Sequence, residues 1–169
     1  MLQTLAAFAF PPTQLGRALR ILLATLAILA TVWILELAGY RPCELCLAER
    51  YAFYVGAPLA ALTAYAAARG SALARLGFLA LALVFLANAG YALYHAGVEY
   101  HFWQGPTACT GALSGPLKVE DLIKQAQAAQ PVRCDEPAMV VLGLSLAGWD
   151  LIASAAIALY AAFALRLKR

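Results

Sequence analysis

The sequence predicts an all-α membrane protein, a bundle of four transmembrane helices with one long outer loop that carries a short amphipathic helix. Three observations predict it. Of the 169 residues, 64% are hydrophobic and only 12% are charged, too little polar surface to cover a soluble globule of this size. The apolar residues are gathered into four blocks, 19–38, 47–67, 76–94 and 146–165, each near the roughly 20 residues that a helix needs to cross about 30 Å of hydrocarbon. The blocks are continuous rather than alternating, which excludes the strands of a membrane barrel.

The first block follows a short lead containing Pro11 and Pro12 and could be mistaken for a signal peptide. It is too long for one, carries the bulky Trp33 and Ile34, and lacks a small-residue cleavage site, so it is expected to be retained. The second block contains Gly56 and Pro58, which predict a kink that neighbouring helices can accommodate. Ala, Gly and Ser recur in all four blocks, so the helix backbones can approach closely where no hydrophobic drive operates between them.

Net charge of +3 is less informative than where the charges stand. Arg17 and Arg20 precede the first span, Arg69 and Arg75 join the second to the third, and Arg166, Lys168 and Arg169 follow the fourth. The positive-inside rule makes all three places cytoplasmic, with both chain ends. The connections 39–46 and 96–145 then face the opposite, oxidising compartment, and they hold Cys43, Cys46, Cys109 and Cys134. Four cysteines allow three pairings. Basic residues that flank spans in this way orient a membrane protein and give no reason to expect a nucleic-acid partner.

The second outer connection is too long to be a mere turn. Within it, Val119, Leu122, Ile123 and Ala126 fall on one helical face of the segment 117–126, the signature of a helix lying on the bilayer or on the outer end of the bundle. Gly105-Pro106, Gly115-Pro116, Pro131 and Pro137 mark turns around it. Tyr91, Tyr94, Tyr100, Trp103 and Trp149 fall near the outer interface, where amphipathic rings act as anchors.

Chemistry concentrates at Cys43-Glu44-Leu45-Cys46. Two residues between the sulfurs permit a closed, exchangeable disulfide, and a helix beginning near Cys46 would favour thiolate there through its macrodipole. Arg50, four residues on, shares a helical face with Cys46 and can approach that thiolate or a bound anion. The plainer alternative has Arg50 snorkelling to outer headgroups with Glu49 as its partner. Zinc is a second reading of the cysteines, but the long separation of Cys109 from Cys134 counts against it, and no metal is expected. A third reading is a pair of purely structural disulfides.

The run Pro42-Cys43-Glu44-Leu45-Cys46-Leu47-Ala48-Glu49-Arg50 resembles the P-C-x-L-C-x-x-E-R signature of the disulfide bond formation protein B (DsbB) family, quinone reductases of the bacterial inner membrane. Tyr94-His95 and the Gly143-Leu144 to Trp149 entry into the fourth span are similar too, and the likeness extends over nearly the whole chain. It implies disulfides Cys43–Cys46 and Cys109–Cys134, both facing the periplasm. Reduced DsbA, a thioredoxin-fold oxidase, would attack the Cys109–Cys134 bond at Cys109, and Cys134 would exchange with the inner pair through Cys43. Cys46 would pass the electrons to ubiquinone, with menaquinone the alternative acceptor, through a charge-transfer contact or adduct. Cys46, Arg50 and His95 would form the quinone site, Arg50 stabilising the thiolate and the charge on the quinone oxygen. His95 would hydrogen-bond a quinone carbonyl or relay a proton.

Glu44 between the sulfurs should disfavour thiolate, and Glu36 and Asp150, near the outer ends of the first and fourth spans, could assist protonation or simply face headgroups. No role is expected for Asn88, His101 or Trp149. Three other readings compete. A relative of vitamin K epoxide reductase would carry its CxxC late in the chain. A non-catalytic four-span scaffold with a stapled outer loop needs neither a dithiol at a helix start nor Arg50. A haem bundle lacks the paired axial histidines.

Overall fold

The structure, a computed structural model, describes residues 13–106 and 132–166. It contains four helices, α1 (Gln14–Leu37), α2 (Glu44–Ala68), α3 (Leu73–Glu99) and α4 (Leu146–Ala164), all long and apolar enough to span a membrane. A two-stranded antiparallel hairpin, β1 (Val140–Val141) with β2 (Leu144–Ser145), leads into α4. Cys109 and the expected amphipathic helix at 117–126 lie outside the described residues, as do Lys168 and Arg169.

Local chemistry starts each helix. Thr13, Cys43 and Ser145 each occupy the N-cap of α1, α2 and α4, and each side chain accepts a backbone N–H three residues on, satisfying one of the otherwise orphan donors of the first turn. The sequence placed the start of the second helix near Cys46. The helix instead starts at Glu44, because the sulfur of Cys43 takes the capping role. The turns out of α1 and α2 pass through Gly39 and Gly70 at φ of 100° and 62°, a left-handed backbone open to glycine without cost.

Helices adjacent in sequence pack against each other, α3 with α4 most extensively, and α1 meets α4 along a much thinner seam. Small residues set the close approaches. Gly56 lies against the ring of Phe85, where an added Cβ would come within 2.6 Å of the ring, and Gly77 lies against Thr63. The core around them comprises Ala18, Ile21, Phe53, Ala60, Phe78, Leu81, Phe85, Ala158 and Ala161. α2 continues as one helix through Pro58. Buried hydroxyls of Thr25 and Thr63 donate to the carbonyls of Ile21 and Leu59 at 2.7 Å, so neither is stranded away from water. Large apolar side chains such as Leu23, Ile34, Leu62, Leu83 and Leu159 stay exposed on the outside of the bundle, as a lipid-facing surface requires.

Candidate functional site

At the N-terminus of α2, three groups converge on the sulfur of Cys43. The backbone N–H of Cys46 donates to it at 3.1 Å, the two Sγ atoms share a proton across 2.8 Å, and Nε2 of His95 lies 3.5 Å away. Cys43 and Cys46 are unbonded here, their sulfurs adjacent. Cys43 receives the N–H of Cys46 and faces His95, so the shared proton belongs on Cys46. The hydrogen bond from the Cys46 thiol, helped by His95 and the backbone N–H, outweighs burial and draws the Cys43 thiol down to about 4. The thiolate stands on Cys43, one turn earlier than the macrodipole argument put it, because Cys43 is the cap.

His95 comes from α3 and is 1% exposed. Its Nδ1 lies 2.8 Å from Oε1 of Glu49, and its Nε2 lies 3.8 Å from Oε1 of Glu99, one turn further along α3. An imidazole carrying protons on both nitrogens satisfies the sulfur and the Glu49 carboxylate together. Sulfurs of Cys43 and Cys46 and a ring nitrogen of His95 fall within 4.8 Å of one another, the spacing of three ligands as well as of a proton relay.

Arg50 turns the other way. Its Nη1 donates to Oε2 of Glu36 on α1 at 2.6 Å, and Glu49, the partner considered from sequence, is engaged by His95 instead. The two side chains point apart because neighbouring positions on a helix are separated by about 100°.

Cys46 and Arg50 share the wall of a cavity of about 330 Å³ at the thin seam between α1 and α4. Ile28, Leu29, Val32 and Phe53 make it apolar, while Trp149 and Asp150 reach it from α4. Glu49 touches the cavity too, but His95 does not line it. The sequence resemblance grouped His95 with Cys46 and Arg50. α3 presents His95 to the Cys43 side of the pair, away from the α1–α4 seam.

On its other side, Cys43 packs with Leu45, Val98 and Cys134 in a small buried cluster, with Val132 and Cys46 at its edge. Cys134 is disulfide-bonded and fully buried. The long outer loop thus returns one of its cysteines to the redox pair. Arg133 and Asp135 flank Cys134 and pair at 2.6 Å, the guanidinium holding the Asp135 carboxyl below its ordinary range.

The family model for disulfide bond formation protein DsbB matches residues 16–164. The chain belongs to the DsbB family. A relative from Herminiimonas arsenicoxydans carrying the name disulfide bond formation protein B is 32% identical over 149 residues, covering 82% of this chain and 86% of the relative. No solved structure matches. As a DsbB family member with four membrane-spanning helices, the protein is a multi-pass membrane protein of disulfide bond formation, a disulfide-forming oxidoreductase.

Three residues of this DsbB-family site escaped the sequence reading or were given another role. Glu49 was visible in the signature, yet its partner His95 lies 46 positions away and no spacing connects them. Glu99 shares a helical face with His95, a signal available from the i, i+4 separation alone. Asn88 is a polar residue deep in an apolar span, a functional or packing signal by itself, and it proves to hold Asp150.

Proposed function

We propose that this protein oxidises a periplasmic dithiol protein of the DsbA type and delivers the electron pair to a quinone in the bacterial inner membrane, ubiquinone or menaquinone. One observation carries the proposal. The Cys43–Cys46 pair stands between two different surroundings, Cys43 packed against disulfide-bonded Cys134 and Cys46 on the wall of an apolar cavity. A dithiol placed this way can receive electrons on one side and release them on the other.

On the receiving side, the outer disulfide is proposed as Cys109–Cys134, with Cys109 the sulfur a reduced partner attacks. Cys134, released as thiolate, exchanges with the Cys43–Cys46 disulfide at Cys43, which buried contact already brings alongside. Thiol exchange requires a leaving sulfur able to carry charge. Attack at Cys43 expels Cys46 as the thiolate on the cavity side. The donors gathered on Cys43, Cys46 N–H and His95, stabilise negative charge at Cys43 when a Cys109 thiolate attacks Cys134 and releases that sulfur in its turn, with His95 and Glu49 holding a proton beside it.

On the releasing side, Cys46, Arg50 and the apolar walls fit a flat ring with polar edges, and the weak α1–α4 seam gives such a molecule a route from the bilayer. A quinone supplies a two-electron sink at the membrane. Arg50 places positive charge where negative charge accumulates, and Glu36 fixes the guanidinium. His95 acts on the thiols and has no contact with the quinone cavity.

The grouping of Arg17, Arg20, Arg69, Arg75 and Arg166 at the span ends away from the cysteines supports an orientation with the cysteines in the periplasm. Purified protein mixed with reduced DsbA and ubiquinone tests the whole reading. Quinone reduction matched to DsbA oxidation is the expected result. No turnover with intact disulfides would favour a scaffold whose outer loop is merely stapled.

A further inference from the structure

The cavity wall contributed by α4 carries one acid, Asp150, and the structure gives it an unusual setting. Nδ2 of Asn88, a buried amide on α3, donates to Oδ2 of Asp150 at 3.0 Å and to Oγ of Ser154 at 2.9 Å. The Ser154 hydroxyl in turn donates to Oδ1 of Asp150 at 3.1 Å. Both carboxyl oxygens are thus gripped by neutral donors in a closed ring of three side chains, and among the described residues none of the ion pairs involves Asp150.

A tie between α3 and α4 for packing alone would need only the Asn88–Ser154 contact, which is already complete. Asp150 adds a proton-carrying group at the edge of an otherwise apolar space. The other charged groups at this cavity have different partners or positions. Arg50 is held by Glu36 from α1, Glu49 is held by His95 from α3, and Arg41 lies at the outer rim with Tyr40 and Pro42, while Cys46 shares the α2 wall with Arg50.

The geometry points to Asp150 as the proton donor to the quinone on the α4 side of the cavity, with Asn88 and Ser154 as the positioning residues that aim it. This rests on the quinone reading above and deepens it. In the net reaction the Cys43–Cys46 pair, counting the proton held by His95 beside the Cys43 thiolate, gives up two electrons and two protons as its S–S bond forms, which is what reduction of a quinone to quinol consumes. Asp150 would hold a proton at the cavity wall for a quinone oxygen and would be reprotonated by one of the two protons that the dithiol gives up, so it would end each turnover unchanged. General acids placed in this way speed such steps by about 10²-fold or more.

Protein reconstituted in lipid vesicles, with decylubiquinone as the acceptor and a reduced dithiol as the donor, tests the assignment with three readouts. These are quenching of tryptophan fluorescence by decylubiquinone at Trp149 on the same wall, the pH profile of turnover, and the infrared carboxylic-acid band that changes on reduction. Asp150→Asn keeps the size of the side chain and a hydrogen-bonding partner for Asn88. It should weaken quenching by about tenfold or less, the loss expected for altering one hydrogen bond. It should also slow turnover by about 10²-fold, remove one ionisation from the pH profile and abolish the infrared change.

Asn88→Ala leaves the acid but unpins it. The infrared band should persist at a shifted position with a smaller loss of rate. Asp150→Asn with wild-type turnover and an unaltered pH profile would overturn the assignment, as would an infrared change that survives the substitution. Wild-type protein that neither binds nor reduces decylubiquinone would overturn the quinone reading itself, an outcome distinct from a selective failure at Asp150.

Discussion

Glu49 and His95 meet at 2.8 Å from positions 46 residues apart, one a turn into α2 and the other near the end of α3. Through this contact the imidazole stands with its other nitrogen against the Cys43 sulfur. A charged signature residue of the second helix thereby acts on its own cysteine pair through a side chain of the third.

If that contact orients the ring, Glu49→Gln and His95→Ala should both slow exchange at Cys43. His95→Ala removes the acid–base group outright and should cost about 10²-fold in the rate of oxidation of a thiol partner, while Glu49→Gln should cost less because the ring remains. Stopped-flow measurement of partner oxidation checks the order. Equal, wild-type rates in both variants would separate the two residues from the chemistry.

The thiolate on Cys43 carries a pH prediction. In Cys46→Ser the hydroxyl replaces the thiol as donor, so the ultraviolet thiolate absorbance of Cys43 should persist at neutral pH and fade only as pH drops towards about 4. The folded value lies below the ordinary thiol value. Ionisation therefore favours the folded, reduced protein above that ordinary value, and the contribution is lost as pH falls through about 4. His95→Ala in the same background should move the absorbance transition upward.

Arg50→Ala should leave the protein folded and reduce quinone turnover by about 10²-fold, the usual loss when a donor to developing negative charge is removed. Glu36→Gln, which frees the guanidinium without deleting it, should cost far less. Steady-state kinetics against decylubiquinone separates the two, and an unchanged rate and apparent affinity in Arg50→Ala would remove its charge role.

Cysteine substitutions divide the electron path. Cys43→Ser and Cys46→Ser should abolish quinone reduction altogether. Cys109→Ala should leave the Cys43–Cys46 pair oxidisable by quinone but unreachable by DsbA, which alkylation mass mapping after quinone treatment would show.

Packing gives a stability test. Gly56→Ala would drive a Cβ to 2.6 Å from the ring of buried Phe85, and overpacking of this kind costs about 1–3 kcal/mol, more than the helix propensity that alanine gains. Gly90 has nothing within 4 Å of its Cβ position, so Gly90→Ala should hold or raise Tm in detergent while Gly56→Ala lowers it.

By itself, the sequence determined the fold class and located the reactive pair. Hydrocarbon admits few backbone solutions, so four long apolar runs had to become helices, and a dithiol beside Arg50 announces itself in one short stretch of chain. The tertiary structure alone decided who faces whom. It gave Arg50 to Glu36, Glu49 to His95, and Asp150 to Asn88 and Ser154, and it turned Cys43 towards Cys134 and Cys46 towards the cavity. Those pairings cross between helices, where rotation of each helix about its axis fixes the contacts. That rotation is set by small-residue packing such as Gly56 on Phe85 and by interhelical hydrogen bonds, which no periodicity within a single span encodes.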